Sequence, residues 1–227
     1  MTAALPPIPP AGLASDRPVE LLLVLGLMAL APVAVVMLTS FLKIAVVLSV
    51  ARSALGAPQV PPNTAVTGLA LLLTLSVMAP VGERAWRAAR EGPPARGVEE
   101  TLAAGARAAE PLRAFLERFA RADDRRMFLD LARRLRPEES RASASESDFA
   151  VLAPAFVISE LRRAFTIGFL VFLPFLVVDL VVANVLLALG LTQLSPTTLS
   201  LPFKLLLFVA VDGWALLARG LAAGYAT

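Results

Sequence analysis

Residues 167–190 read IGFLVFLPFLVVDLVVANVLLALG, and the fold turns on this stretch. Its 24 residues carry one ionisable side chain, Asp179, near the middle. A helix of that length is about 36 Å long, enough to cross a hydrocarbon core of about 30 Å. A soluble protein seldom needs a helix that is apolar all round over such a length. The run therefore implies a membrane, or an assembly that takes the membrane's place. A carboxylate inside it is costly, so Asp179 is expected to face protein or water and to have a partner.

Working outward, the segment before it, LAPAFVISELRRAFTIGF (152–169), leads into the run with Glu160 and Arg163 at i, i+3 on one helix face. The plain reading of that pair is a solvated one at the end of a span. Phe165, Phe169 and Phe172 follow at helical spacing and read as packing. Pro174 lies inside the run, where it frees a backbone carbonyl and bends the axis. After it, LTQLSPTTLSLP (191–202) turns the chain, and Phe203 to Ala218 forms the last apolar segment, with Lys204 and Asp212 in it.

Towards the N-terminus, Leu21 to Val50 is a first apolar run interrupted by Pro32, Thr39, Ser40 and Lys43. Lys43 is either a lysine snorkelling at an interface or an interior charge paired with a carboxylate from another segment. ARSALGAPQVPPN (51–63) is a connector, with Asn63 near the cap of the next helix. Thr64 to Val81 has no charge and ends at Pro80, which completes a first hairpin over 21–81. Residues 1–20 are a proline-rich tail without the basic region that opens a cleavable signal peptide. The expected domains are thus the tail, this hairpin, an insert over 82–150, a second hairpin over 151–218 and a short tail over 219–227.

The insert is a different material. It holds 14 Arg and 13 acidic residues. Leu112, Phe115, Leu116 and Phe119 make one apolar stripe, and Met127, Phe128, Leu131 and Leu135 make another. Both predict amphipathic helices with a solvated face. Glu138 to Asp148 reads as a loop. The fold class is therefore all-α: four long, proline-kinked apolar segments in membrane-associated hairpins, with a small charged helical insert.

Composition narrows the function. Of 227 residues, 57% are hydrophobic, against about 45–50% in soluble domains. There is no cysteine and no histidine. That removes thiolate metal sites, the commonest metal ligand and the commonest general base. The net charge is +3, but basic and acidic residues interleave rather than gather on a face, which argues against nucleic acid. Nothing calls for a cofactor or a metal. The four apolar segments contain Lys43, Asp179, Lys204 and Asp212, two of each sign, which suggests mutual neutralisation within one chain or between copies. Asp179 with one of the two lysines is the expected pair. The prolines at 32, 80, 174 and 202 fit a conduit or large assembly better than a simple anchor, because broken helices at membrane depth need protein or a cavity around them.

Three blocks, Met37–Val81, Pro154–Gly190 and SLPFKLLLFVAVDGW (200–214), resemble in this order the FliP/SctR (YscR) family, inner-membrane export-apparatus proteins of type III secretion. SELRRAF, PFLVVDL and LPFKLLLFVAVDGW carry the resemblance. It implies a non-enzymatic core subunit of an export gate in the bacterial inner membrane. The gate would be a pentameric assembly completed by two small membrane proteins, FliQ/SctS-like and FliR/SctT-like. Other secretion-apparatus membrane proteins would surround it, and unfolded polypeptides would pass through its pore. The complex would be a helical cone projecting to the periplasmic side, with the insert on that side. Lys43, Glu160, Asp179, Lys204 and Asp212 are then candidate structural or inter-subunit charges. Flagellar members carry consecutive methionines just after ALG; this chain has Leu191, Thr192, Gln193 and Leu194, a candidate pore-closing loop that tilts the reading toward the injectisome branch. The competing readings are an ion-coupled transporter or proton channel with Asp179 as proton site, and an intramembrane enzyme. No inverted repeat supports the first, and no HExxH, GxSxG or GxGD motif supports the second.

Overall fold

The computed structural model describes residues 26, 29, 32–57, 60–91 and 98–226. The proline-rich tail and residues 21–25, 27, 28, 30 and 31 of the first apolar run lie outside them. Residues 1–34 and 35–227 form separate units. In the first, residues 26, 29 and 32–34 are helical. In the second, α1 (Phe41–Ala54), α2 (Asn63–Arg90), α3 (Val98–Phe119), α4 (Ala122–Leu135), α5 (Glu138–Arg141), α6 (Phe149–Ala188), α7 (Pro196–Ala210) and α8 (Gly213–Ala223) follow in order. No strand occurs among the described residues, and the chain is all-α.

The backbone of the architecture is α6. Its 40 residues span about 60 Å, twice the thickness of a hydrocarbon core. The lead-in segment and the central run are one helix, which continues through both Pro154 and Pro174. The N-terminal part of α6 packs on the insert, where Leu152, Ala155 and Phe156 join Phe115, Leu116 and Phe119. The C-terminal part packs on α1 and α7 through Ala164, Phe175 and Phe208. Among the described residues two helices, α2 and α6, are long and apolar enough to cross a membrane. The bent pair α7 and α8 would make a third span.

Alongside α6, α1 runs parallel: Lys43 meets Glu160, and Val50 meets Gly168. A Cβ on Gly168 would lie 3.0–3.3 Å from three atoms of Val50, so glycine sets the closeness of the two helices. At the end of α1, Gly56 takes a φ of +76°, a left-handed conformation that stops the helix without strain.

Several boundaries differ from those expected. Pro80 does not end α2, which runs on to Arg90 across the hairpin–insert boundary expected at 81/82. Pro62, not Asn63, is its N-cap; Asn63 sits in the first turn and accepts from Arg52 Nη1. The turn expected over 191–202 is shorter, because α7 starts at Pro196, where a proline in the first turn loses no hydrogen bond. The last apolar segment is two helices bent by 57° at Asp212, whose φ is +50°. A Cβ on Gly213 would run into the Phe208 ring, so the bend needs that glycine. Residues 138–141 form a helical turn inside the expected loop. Beyond it, the Ser145 N–H and Arg136 hold the Asp148 carboxyl below the usual carboxylate range at the start of α6.

The two amphipathic stripes fare differently. Phe115, Leu116 and Phe119 are buried, with Leu112 packed beside them. On α4, Phe128 and Leu129 face inward, but Met127, Leu131 and Leu135 are exposed, Leu135 at 77%.

The α1–α6 contact yields a direct check. Gly168→Val overpacks the seam and is expected to cost about 1–3 kcal/mol, a fall of about 3–10 °C in Tm in mild detergent. Adding Val50→Ala should recover part of the loss. A single variant that melts like the parent protein would show that the seam is loose.

Candidate functional site: two buried charge nodes

The polar groups on α6 gather into two nodes about 28 Å apart along its axis. The first is built on SELRR (159–163). Glu160 is fully buried. Its Oε1 accepts from Arg163 Nη1 at 2.7 Å. Its Oε2 lies 3.3 Å from Lys43 Nζ and accepts from the Tyr225 hydroxyl. Arg163 Nη1 also donates to the carbonyl of Phe119 at 2.7 Å, at the end of α3. The Lys43 ammonium stands 3.5 Å from the centroid of the Tyr225 ring, a cation–π contact. That ring packs in turn on Phe115 and Phe119.

The neighbouring face of the same turn makes a second set of bonds. Ser159 Oγ donates to Asp124 Oδ2 at 2.7 Å and accepts from the Arg121 N–H at 2.9 Å. Arg162 Nη2 donates to Asp124 Oδ1 at 3.2 Å. A run that reads as a solvated helix end therefore fastens α6 to α1, α3, α4 and the C-terminal tail. A buried ion is tolerable only when its lone pairs are met in this way.

The second node centres on Asp179. Its Oδ2 accepts from Lys204 Nζ at 2.6 Å and its Oδ1 from Ser200 Oγ at 2.5 Å. Lys204 is 3% exposed and Ser200 fully buried, while a quarter of the Asp179 side chain remains accessible. A residue three or four positions on faces the same side of a helix, so Ser200 and Lys204 on α7 address one carboxylate together.

Both lysines occupy equivalent electrostatic positions. Lys204 Nζ lies 3.7 Å from where a Cβ on Gly56 would be, at the end of α1. Lys43 Nζ lies 4.0 Å from the corresponding point on Gly224, at the end of α8. Each cation thus sits between a carboxylate of α6 and the negative end of another helix.

The neutralisation expected among Lys43, Asp179, Lys204 and Asp212 is met differently for the last of them. Lys43 is taken by Glu160 and Lys204 by Asp179. The Asp212 side chain is exposed at the α7–α8 bend, with no hydrogen bond or ion pair among the described residues. Reading Glu160 as half of a solvated local pair missed it as the partner of Lys43. The signal available was a second carboxylate on the same apolar helix as Asp179, in a chain with two lysines to be matched. The candidate loop residues Leu191, Thr192, Gln193 and Leu194 lie in the exposed turn between α6 and α7, after Gly190 at φ +72°.

Removing one partner of a buried pair strands the other charge, so Asp179→Leu is expected to cost about 3–5 kcal/mol in detergent-solubilised thermal unfolding. Adding Lys204→Met should return most of it, and the swap Asp179→Lys with Lys204→Asp should return part. If Asp179→Ala melts and assembles as the parent does, the second node is dispensable.

Residues 24–221, which include every ion-pair member of both nodes, match the model of the FliP family. The chain is 46% identical over 206 residues to the "Pathogenicity-related ORF2" of Xanthomonas campestris pv. glycines, covering 90% of this chain and 95% of that one. It is 46% identical over 211 residues to the Yop proteins translocation protein R of Yersinia pestis, covering 91% and 96%. It is 44% identical over 207 residues to the flagellar biosynthetic protein FliP of Caulobacter vibrioides, covering 91% and 76%. With that agreement across nearly its whole length, the chain belongs to the FliP family.

Proposed function

We propose that this chain is a core subunit of a type III secretion export gate, and that several copies, with two small membrane partners, form the entry pore for unfolded polypeptides. The observation that carries this reading is the exterior of the α6–α7 hairpin. Its ionic groups Asp179 and Lys204 are satisfied inside the chain. Its outer surface, from Phe165 and Phe169 through Val181 and Leu187 to Leu206 and Val209, is apolar and exposed. Such a surface needs lipid or further protein over it. A helix of about 60 Å also exceeds one hydrocarbon core, which suits a complex that projects from the membrane to the periplasmic side.

The role is structural and conductive, without chemistry. The relatives named for protein translocation and for flagellar biosynthesis support that reading. The injectisome branch is favoured by the sequence after Gly190. Leu191 and Leu194 are half-exposed aliphatic side chains there, suited to closing a pore by apolar contact. Asp179 is bonded to a lysine and a serine of α7, which suits a structural tie between the two helices of the hairpin.

Native mass spectrometry of the chain co-expressed with the two small partners tests the assembly. Several copies in one mixed complex are expected; a lone monomer or dimer that never takes up the partners would overturn the gate reading. For the pore, replacing Leu191 and Leu194 together by glycine should raise ion leakage of the assembled complex in liposomes. An unchanged leak would remove that turn from the closure.

A further inference from the structure

We propose that Asp212 of one copy docks beside Arg52 of the next, with the α7–α8 bend of the first seated in a shallow groove on α1 of the second. The inference rests on the reading that copies of this chain assemble, and it names the surfaces by which they do so.

Asp212 is the starting point. Of the three carboxylates on α6–α8, Glu160 and Asp179 are held by lysines, and Asp212 has no side-chain partner among the described residues. It stands on an apolar prominence: Val209 is 74% exposed, and Leu206, Val211 and Leu216 are exposed around it. A carboxylate that enters apolar surroundings with such neighbours requires a cation to go with it.

Arg52 offers one. Its Nη1 donates to Asn63 Oδ1, a neutral acceptor; among the described residues no carboxylate pairs with it and its Nε is buried without a partner. Arg52 flanks a groove of about 340 Å³ lined by Ala45, Val46, Ser49, Val50, Ser53 and Phe172. Ala45, Ser49 and Ser53 recur every fourth residue, and small side chains at that spacing let another helix approach closely.

Height decides between cations. Val50 lies against Gly168, so Arg52 is about level with residue 170 of α6. Lys204 lies against Asp179, and α7 returns antiparallel, so Asp212, about two turns further on, is level with about residue 171. Copies related by a ring axis along the helices meet at equal height. The groove and the prominence are different surfaces of one chain, so the contact is heterologous and closes into a ring when the rotation allows.

The chain has no cysteine, which makes the test clean. Ser53→Cys and Val211→Cys, both at exposed positions, are introduced together into the full chain co-expressed with its small partners, and the complex is oxidised with copper phenanthroline. A ladder of covalent multimers of this chain is expected from the double variant and from neither single one. A double variant that stays uncrosslinked while native mass spectrometry still finds several copies overturns this inference alone; absence of multiple copies overturns the assembly reading as well. Cross-linking to a small partner in place of a second copy also overturns it. In parallel, Arg52→Asp should reduce the assembled fraction about tenfold or more, and Asp212→Arg in the same chain should restore it. Rescue of Asp212→Arg by Arg219→Asp, and not by Arg52→Asp, would refute the pairing.

Discussion

Glu160, a carboxylate without solvent contact, is the group on which the rest of this structure depends. Three distant pieces of chain converge on it, Lys43 from the first apolar hairpin, the Phe119 carbonyl by way of the neighbouring Arg163, and Tyr225 near the C-terminus. A buried ion stripped of its partners costs several kcal/mol, so the node is favourable only when all of them are in place. That requirement couples the insert, both hairpins and the tail into one arrangement. Aliphatic packing alone, which is non-directional, would leave their register loose.

The second node extends the same principle to the far end of α1. Each lysine lies between a carboxylate of α6 and the C-terminal end of a neighbouring helix; Lys43 ties the start of α1 to α6, Lys204 ties α7 to α6 beside the end of α1, and Gly168 lets α1 lie close in between. The functional consequence is on the outside. Charges consumed within the chain leave α6 and α7 with an apolar exterior over most of their length. The polar hold is internal and the surface is available for lipid or for other subunits.

Much of this was legible from the chain. Uninterrupted apolar runs define α2 and α6 because no soluble arrangement requires them, and a lone Asp179 amid 24 residues demands a cation, which Lys204 provides. What was not legible had specific causes. SELRR resembles a solvated helix end, because i, i+3 charge pairs are usually that; only the arrival of α1, α3, α4 and Tyr225 from elsewhere buries it. Pro80 marks a helix end on local grounds, yet α2 continues through it. The bend at Asp212 arises because the Phe208 ring occupies the space beside Gly213, a contact that no local pattern announces. On α4, the apolar spacing predicts burial for Met127, Leu131 and Leu135, while the turn of the helix toward Asp124 and Ser159 leaves them outside.

Hydropathy and spacing by themselves determined the all-helical class, the long membrane-length helices, the charged insert and the absence of histidine and cysteine chemistry, since each depends on residues near one another in the chain or on composition alone. Which lysine meets which carboxylate, that Glu160 is buried while Asp212 is left facing outward, and where the last apolar segment breaks were decided only by tertiary structure. Those outcomes depend on the register of helices far apart in sequence, and an ion's environment is set by what packs around it.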